Sequence, residues 1–374
     1  MTDPRWEFRA GILQAFGASG PVIEELLAFG AVARRPPHEA PSLPLPAEAH
    51  VEVWREYAAQ AAKTGAWNAL RPRLPQLQFP VRAGISGAPD YLAATRRGEP
   101  PTGEGLAPRA PDALRLAIHD SLAGPVPVLS TADRGDFVLM VQALSCRNEP
   151  APVPDSMGAC LIAGFNNWDR IHRLQARCDP AAWPEEFQRI VPHKSLYQDR
   201  FLILFEGPYS SVSAADMGLP WHEWLRLSRV IRLAHECTHY LSLRLFGSTL
   251  AHPLDELIAD YAGIAAACGR YRADWALRFL GLEDSASYRP GARLENYRGQ
   301  PPLSDAAFGV LQRLLLAAAE NLERFDSVHF SGPRLADDRA TAAPLLFQAT
   351  LEELASADYG RLPSKNSPTD VSPQ

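Results

Sequence analysis

Apolar side chains recur one helical turn apart through residues 220–246, where Trp224, Leu227, Ile231, Ala234, Thr238, Leu241 and Leu245 form one stripe. That spacing brings side chains onto a single face of a helix. Gly247 follows where a left-handed cap would end it. A second helix is predicted over 253–268, opening on Pro253, which has no N–H to leave unsatisfied, and stopping before Gly269. The same pattern predicts helices over 19–32, with Pro21 just inside the start, over 47–70, with Val51, Trp54, Ala58 and Ala61 in one stripe, and over 304–324 and 343–355. Short apolar runs at 158–165 and 200–206 are bounded by Gly or Pro and fit buried strands. Residues 130–146 fit both periods, and Thr131 as a cap with Asp133 and Asp136 behind it favours a helix.

Proline punctuates the first third, as in RRPPHEAPSLPLPAEA and LRPRLPQLQFP. Each ring removes a donor and blocks helix continuation, so the elements there must be short. A chain of 374 residues has room for two domains or one large one. The elements divide into a Pro-rich, mainly helical region at 1–115, a core at 116–270 that joins the strands to the long helix, a helical subdomain at 271–360, and a tail at 361–374. The tail has too little apolar surface to offset its ordering entropy. Strands followed by helices in this order make an α+β fold.

Composition removes several classes of function. Hydrophobic residues at 46% and charged residues at 21% are the proportions of a water-soluble globular protein. No uncharged apolar run approaches the roughly 18 residues a bilayer span needs, so no membrane partner is expected. The N-terminus, MTDPRWEFRAGILQAFGASG, lacks the continuous apolar segment of a secretory signal. Five cysteines without a C-x-x-C pair indicate neither a disulfide framework nor a zinc knuckle, and a cytoplasmic location is expected. A net charge of −6 with no long basic block argues against nucleic acid as a partner.

The chemistry is concentrated in the long helix, at His235-Glu236-Cys237-Thr238-His239. Residues four apart lie about 5–6 Å apart at Cβ on one helix face, so two imidazoles can converge on one metal ion. Glu236 is rotated by about 100° from His235, which sets its carboxylate beside the metal, where a general base belongs. Cys237, at about 200°, should face the core. The next helix opens with Glu256-Leu257-Ile258-Ala259-Asp260. Two His and one Glu form a known zinc-ligand set that keeps a fourth position open. Asp260, one turn beyond Glu256, can accept the free N–H of a ligating His and fix its tautomer. Asp255 competes with Glu256 as third ligand, but its first-turn position suits helix capping or the helix dipole.

At these residues the sequence resembles the gluzincin branch of the zincin metallopeptidases, whose pattern is H-E-x-x-H followed on a second helix by E-x-x-x-D. Glu256, Ala259 and Asp260 also look like the E-x-x-A-D variant of that pattern. The resemblance covers about residues 200–268. It implies a zincin-like catalytic core within the α+β fold, one Zn2+ ion, a peptide or protein substrate, and hydrolysis by metal-activated water with Glu236 as base. It also implies a small sheet before the motif helix whose edge strand, here 200–206, holds the substrate backbone, and an oxyanion donor from beyond the third ligand, for which Tyr297 and His329 are the candidates. His252 could approach the site or cap its helix locally. Two rival readings remain: an iron-dependent peptide-modifying oxygenase, since two His and a carboxylate also hold ferrous iron, and a non-catalytic regulatory or binding protein on a zincin scaffold.

Overall fold

The strand segments pair into one mixed sheet in the computed structural model of the protein, which describes residues 4–30, 42–101, 103, 105–247, 252–284, 288–330, 339 and 341–357. The chain forms two compact units, a sheet unit at Ser42–Ser211 and a helical unit made of Met1–Pro41 with Val212–Gln374. In chain order the main helices are α1 (Pro4–Ala15), α2 (Gly20–Phe29), α3 (His50–Thr64), α4 (Ala66–Leu70), α5 (Pro89–Arg97), α6 (Arg134–Leu144), α7 (Trp168–Gln175), α8 (Trp183–Ile190), α9 (Trp221–Phe246), α10 (Pro253–Cys268), α11 (Ala273–Leu280) and α12 (Asp305–His329). Helices and a sheet of this kind make the protein α+β. No helix among the described residues is long and apolar enough to cross a membrane.

In the sheet unit, β1 (Arg115–His119), β2 (Val126–Thr131), β3 (Ala159–Asn166) and β4 (Gln198–Phe205) lie in the order β1-β2-β4-β3. β1 and β2 are antiparallel, β2 and β4 parallel, and β3 and β4 antiparallel with a bulge between Ala163 and Phe165. Gly164 at φ +87° supplies the backbone that bulge needs. Trp54 and Tyr57 of α3, Phe137 and Met140 of α6 and Phe201 and Ile203 of β4 share one core. Fully buried Asp199 accepts hydrogen bonds from Trp54 Nε1, Asn167 Nδ2 and the Arg170 guanidinium, so this carboxylate leaves water with its lone pairs satisfied.

Several expectations are corrected. The helix predicted over 47–70 is two helices, because Gly65 at φ +85° turns the chain between α3 and α4. Residues 130–146 combine the end of β2 with α6, whose cap is Asp133, accepting from Asp136 N–H, not Thr131. The segment 200–206, expected as an edge strand, forms most of β4, which is paired with β2 on one side and β3 on the other; β1 and β3 are the outer strands. The expected core at 116–270 straddles the two units. The end of the predicted 19–32 helix beyond Gly30, and the tail at 361–374, lie outside the described residues.

In the helical unit the long predicted helices take shape. α9 ends at Gly247 with φ +77°, and α10 starts at His252, whose Nδ1 accepts from Leu254 N–H, and ends at Gly269. Thirteen consecutive α10 residues, Pro253 to Ala265, are buried, so the helix is enclosed on every side and carries its three carboxylates, Asp255, Glu256 and Asp260, out of water. α12 runs five residues past the predicted Arg324. The segment 343–355 divides into Ala343–Leu346 and Leu351–Ala355, the second opened by a capping box between Thr350 and Glu353.

Candidate metal centre

Helical spacing does the first part of the assembly. His235 and His239 stand one turn apart on α9, and their rings meet edge to face with centroids 4.7 Å apart. Their Nε2 atoms are 3.0 Å from each other. α10 lies alongside and brings Glu256 to both, 3.5 Å from His235 Nε2 and 3.3 Å from His239 Nε2. The three ligand atoms lie within 4.8 Å of one another and form a group that could hold a metal ion. A tetrahedral ion with bonds of about 2.0–2.1 Å needs its ligand atoms about 3.3 Å apart. The two nitrogens stand 3.0 Å apart and each faces a different oxygen of Glu256, so two imidazoles and one carboxylate, donors that zinc accepts, converge on one point.

The other nitrogen of His235 is held from behind. Asp260, fully buried one turn beyond Glu256, has one carboxylate oxygen 3.0 Å from His235 Nδ1, and the Arg293 guanidinium bonds its second oxygen. With the proton on Nδ1 pointing at Asp260, the Nε2 lone pair is directed at the ligand cluster. Glu236 follows His235 on α9 and is half-buried, so it keeps access to solvent beside the ligands.

Charge in this dry site is tightly coupled. Burial alone would depress the His235 pKa, but the hydrogen bonds and charges of Asp260 and Glu256 outweigh it and push the value up to about 9. Burial likewise opposes the charge on Glu256, yet the two histidines hold its carboxyl well below the ordinary range. Tyr297, in the turn Arg293–Tyr297, lies close enough to Glu256 for its hydroxyl to feel the carboxylate charge. Burial and then the Glu256 charge push its ionisation well above the usual tyrosine range, so it remains a donor.

The structure therefore gathers His235, His239, Glu256, Asp260 and Tyr297. It does not bring in His329, which is exposed at the C-terminal end of α12 with its ring against Phe325, centroids 4.7 Å apart. His252 is the N-cap of α10 and packs on Phe29, which is the local role. Asp255 is buried in the first turn of α10 and is not part of the ligand group; Cys237 is buried outside it as well. Arg293 is the site residue that sequence reasoning missed. It comes from a short 3-10 turn with no periodic pattern, and only the presence of a buried carboxylate at Asp260 could have called for a cation nearby.

The model of a family of unknown function (DUF7005) matches residues 11–358. No curated protein and no solved structure gives a significant match.

Proposed function

The chain belongs to the DUF7005 family, and on the geometry of its buried cluster we propose that it is a zinc-dependent hydrolase acting on peptide bonds, built like a gluzincin at its site. The supporting observation is the convergence of two imidazole nitrogens and one carboxylate within 4.8 Å of one another, with Asp260 on the far nitrogen of His235. His235, His239 and Glu256 would hold the ion. When bound, zinc supplies a Lewis acid that polarises a carbonyl and lowers the pKa of a water molecule to about 7.

The remaining chemistry belongs to the chain. The Glu236 carboxylate takes a proton from the attacking water and passes it to the leaving amine nitrogen, which lets one group serve as base and then acid. Asp260 keeps His235 in the tautomer that presents Nε2. Arg293 balances the Asp260 charge, so the orienting carboxylate does not compete as a ligand. Tyr297 stands near Glu256 and offers a protonated hydroxyl for the oxygen that gains charge as the carbonyl becomes tetrahedral.

Metal analysis of protein purified without added metal, followed by digestion of a mixed peptide library, tests the proposal. About one zinc per chain is expected, lost in His235→Ala or His239→Ala. Glu236→Gln should retain the zinc and the fold while hydrolysis falls to background. Unchanged metal content in the histidine variants would refute the site, and retained hydrolysis in Glu236→Gln would move the base elsewhere. Iron in place of zinc would favour the oxygenase reading.

A further inference from the structure

The sheet unit contains a cavity of about 680 Å3, within the size range of small-molecule sites. Outer strand β3 forms one wall, and α5 contributes another. Two buried polar groups on its lining have no hydrogen-bond partner among the described residues. One is the hydroxyl of Tyr91, a residue only 2% exposed whose ring packs edge-on against Phe79. The other is Gln76 Oε1. A buried donor and a buried acceptor left unpaired are costly, and native proteins rarely keep them without a partner.

Two cations stand at the rim with one carboxylate close by: Glu149 accepts from Gly84 N–H and Ser86 N–H, feels the charge of Arg147 and acts on Tyr91. Arg96 and Arg147 both line the cavity, no carboxylate among the described residues does so, and neither guanidinium forms an ion pair with a described residue. Arg147 is held in place by its surroundings. It sits at φ 54° next to Asn148 at φ 61°, and Asn148 is pinned by side-chain bonds to the carbonyls of Gln76 and Phe79 and by its own N–H to Gln142 O. Two adjacent left-handed residues persist only where the fold over-determines them. These contacts fix the backbone from which the exposed Arg147 side chain extends, at the mouth of a cavity whose buried polar groups are unmet.

We propose that this cavity binds an organic anion that carries an amide next to its carboxylate on an apolar body, the chemistry of an N-acyl amino acid. The carboxylate meets Arg96 and Arg147, the acyl carbonyl accepts from the Tyr91 hydroxyl, and the amide N–H donates to Gln76 Oε1. Leu92, Leu144 and Phe165 receive the apolar part. Such a group is found on a free N-acyl amino acid and at the C-terminus of a peptide.

Calorimetric titration of the full chain separates these sources and tests the site. N-acetylphenylalanine and N-acetylleucine form one arm, hexapeptides ending in Phe or Leu the other, and each acid is compared with its own primary amide. Acids should bind at least about tenfold more tightly than amides, and Arg96→Met with Arg147→Met should erase that difference. Tyr91→Phe should leave thermal stability unreduced, because it deletes an unpaired hydroxyl, while weakening acids and amides alike by about three- to tenfold. Binding in the first arm identifies a small-molecule site, and binding confined to the second identifies a chain terminus. Equal binding of acids and amides, no binding in either arm at millimolar ligand, or variants that bind as well as the parent would overturn the proposal and leave a cavity that holds only water.

Discussion

Gly263 is a position at which the two ligand helices approach too closely for a side chain, and adding one methyl group there measures how tightly the site depends on that approach. It lies on α10 one turn beyond Asp260. A Cβ at this position would stand 2.7 Å from the Ile231 carbonyl oxygen on α9 and 3.0 Å from Ile231 Cγ2, against 3.4 Å or more for ordinary contact. The first neighbour is helix backbone one turn before His235 and cannot rotate away, so Gly263→Ala must push the helices apart by several tenths of an ångström. Metal sites tolerate ligand displacements of about 0.2 Å. Overpacking of this kind costs about 1–3 kcal/mol. If the helices separate to relieve it, that energy is lost from metal binding, a weakening of about 5- to 150-fold. If they do not, it appears as lost stability of the metal-free protein. Competition with a chromogenic zinc chelator reads the first outcome, and denaturant unfolding in excess EDTA reads the second. Gly309→Ala on α12, where the added Cβ meets only Arg313 at 3.8 Å, serves as the control and should be neutral or stabilising. A Gly263→Ala protein with unchanged affinity and unchanged stability would refute the argument that close helix packing sets the ligand geometry.

Three further outcomes are expected. Asp260→Asn should weaken zinc affinity by about 10- to 100-fold while the ion still binds at excess metal, as read by the same chelator competition. Tyr297→Phe should keep the metal and lower the hydrolytic rate constant by about 10²- to 10³-fold with little change in KM; an unaltered rate would remove Tyr297 from the chemistry. In the metal-free protein His235 has a raised pKa, so its protonation stabilises the fold fully below about pH 6.5, and that contribution is lost as pH rises through about 9. Thermal unfolding in EDTA should therefore show a decline over that window which zinc abolishes, and metal uptake at pH 7 should release about one proton from His235.

The parts of the fold that were legible in the sequence were those in which a long stripe ends on a strong stop signal. α9 and α10 have both, with Gly247 and Gly269 in left-handed caps. β1 and β2 were not legible. β1 is only five residues long, and β2 contains Pro127, which ordinarily argues against an interior strand. Pro127 is tolerated because it faces Ile118 of β1 while the pairing with β4 begins only at Val128. Strand order was illegible for a different reason. Local periodicity says which residues face a core, not which strand lies outermost, so the apolar run that became β4 was assigned an edge it does not have.

The site was more legible than the fold because one spacing rule, i to i+4, operates twice, at His235/His239 and at Glu256/Asp260. What spacing could not supply was the charge balance. Glu256 and Asp260 are both buried carboxylates; Asp260 is paired with the Arg293 guanidinium, whereas the ion-pair partners of Glu256 among the described residues are the two imidazoles, so with both rings neutral its charge stands out of water without a cation in contact. Leaving such a charge unpaired costs several kcal/mol. A proton on His235 removes the imbalance, which is why its pKa rises despite complete burial. A divalent cation removes it too, and at the Nε2 positions it competes directly with that proton. Asp260 thus acts twice, orienting His235 and supplying the charge that makes a cation welcome. Neutralising it leaves Glu256 and Arg293 in balance, so Asp260→Asn should lower the His235 pKa and the zinc affinity together, whereas loss of orientation alone would lower only the affinity.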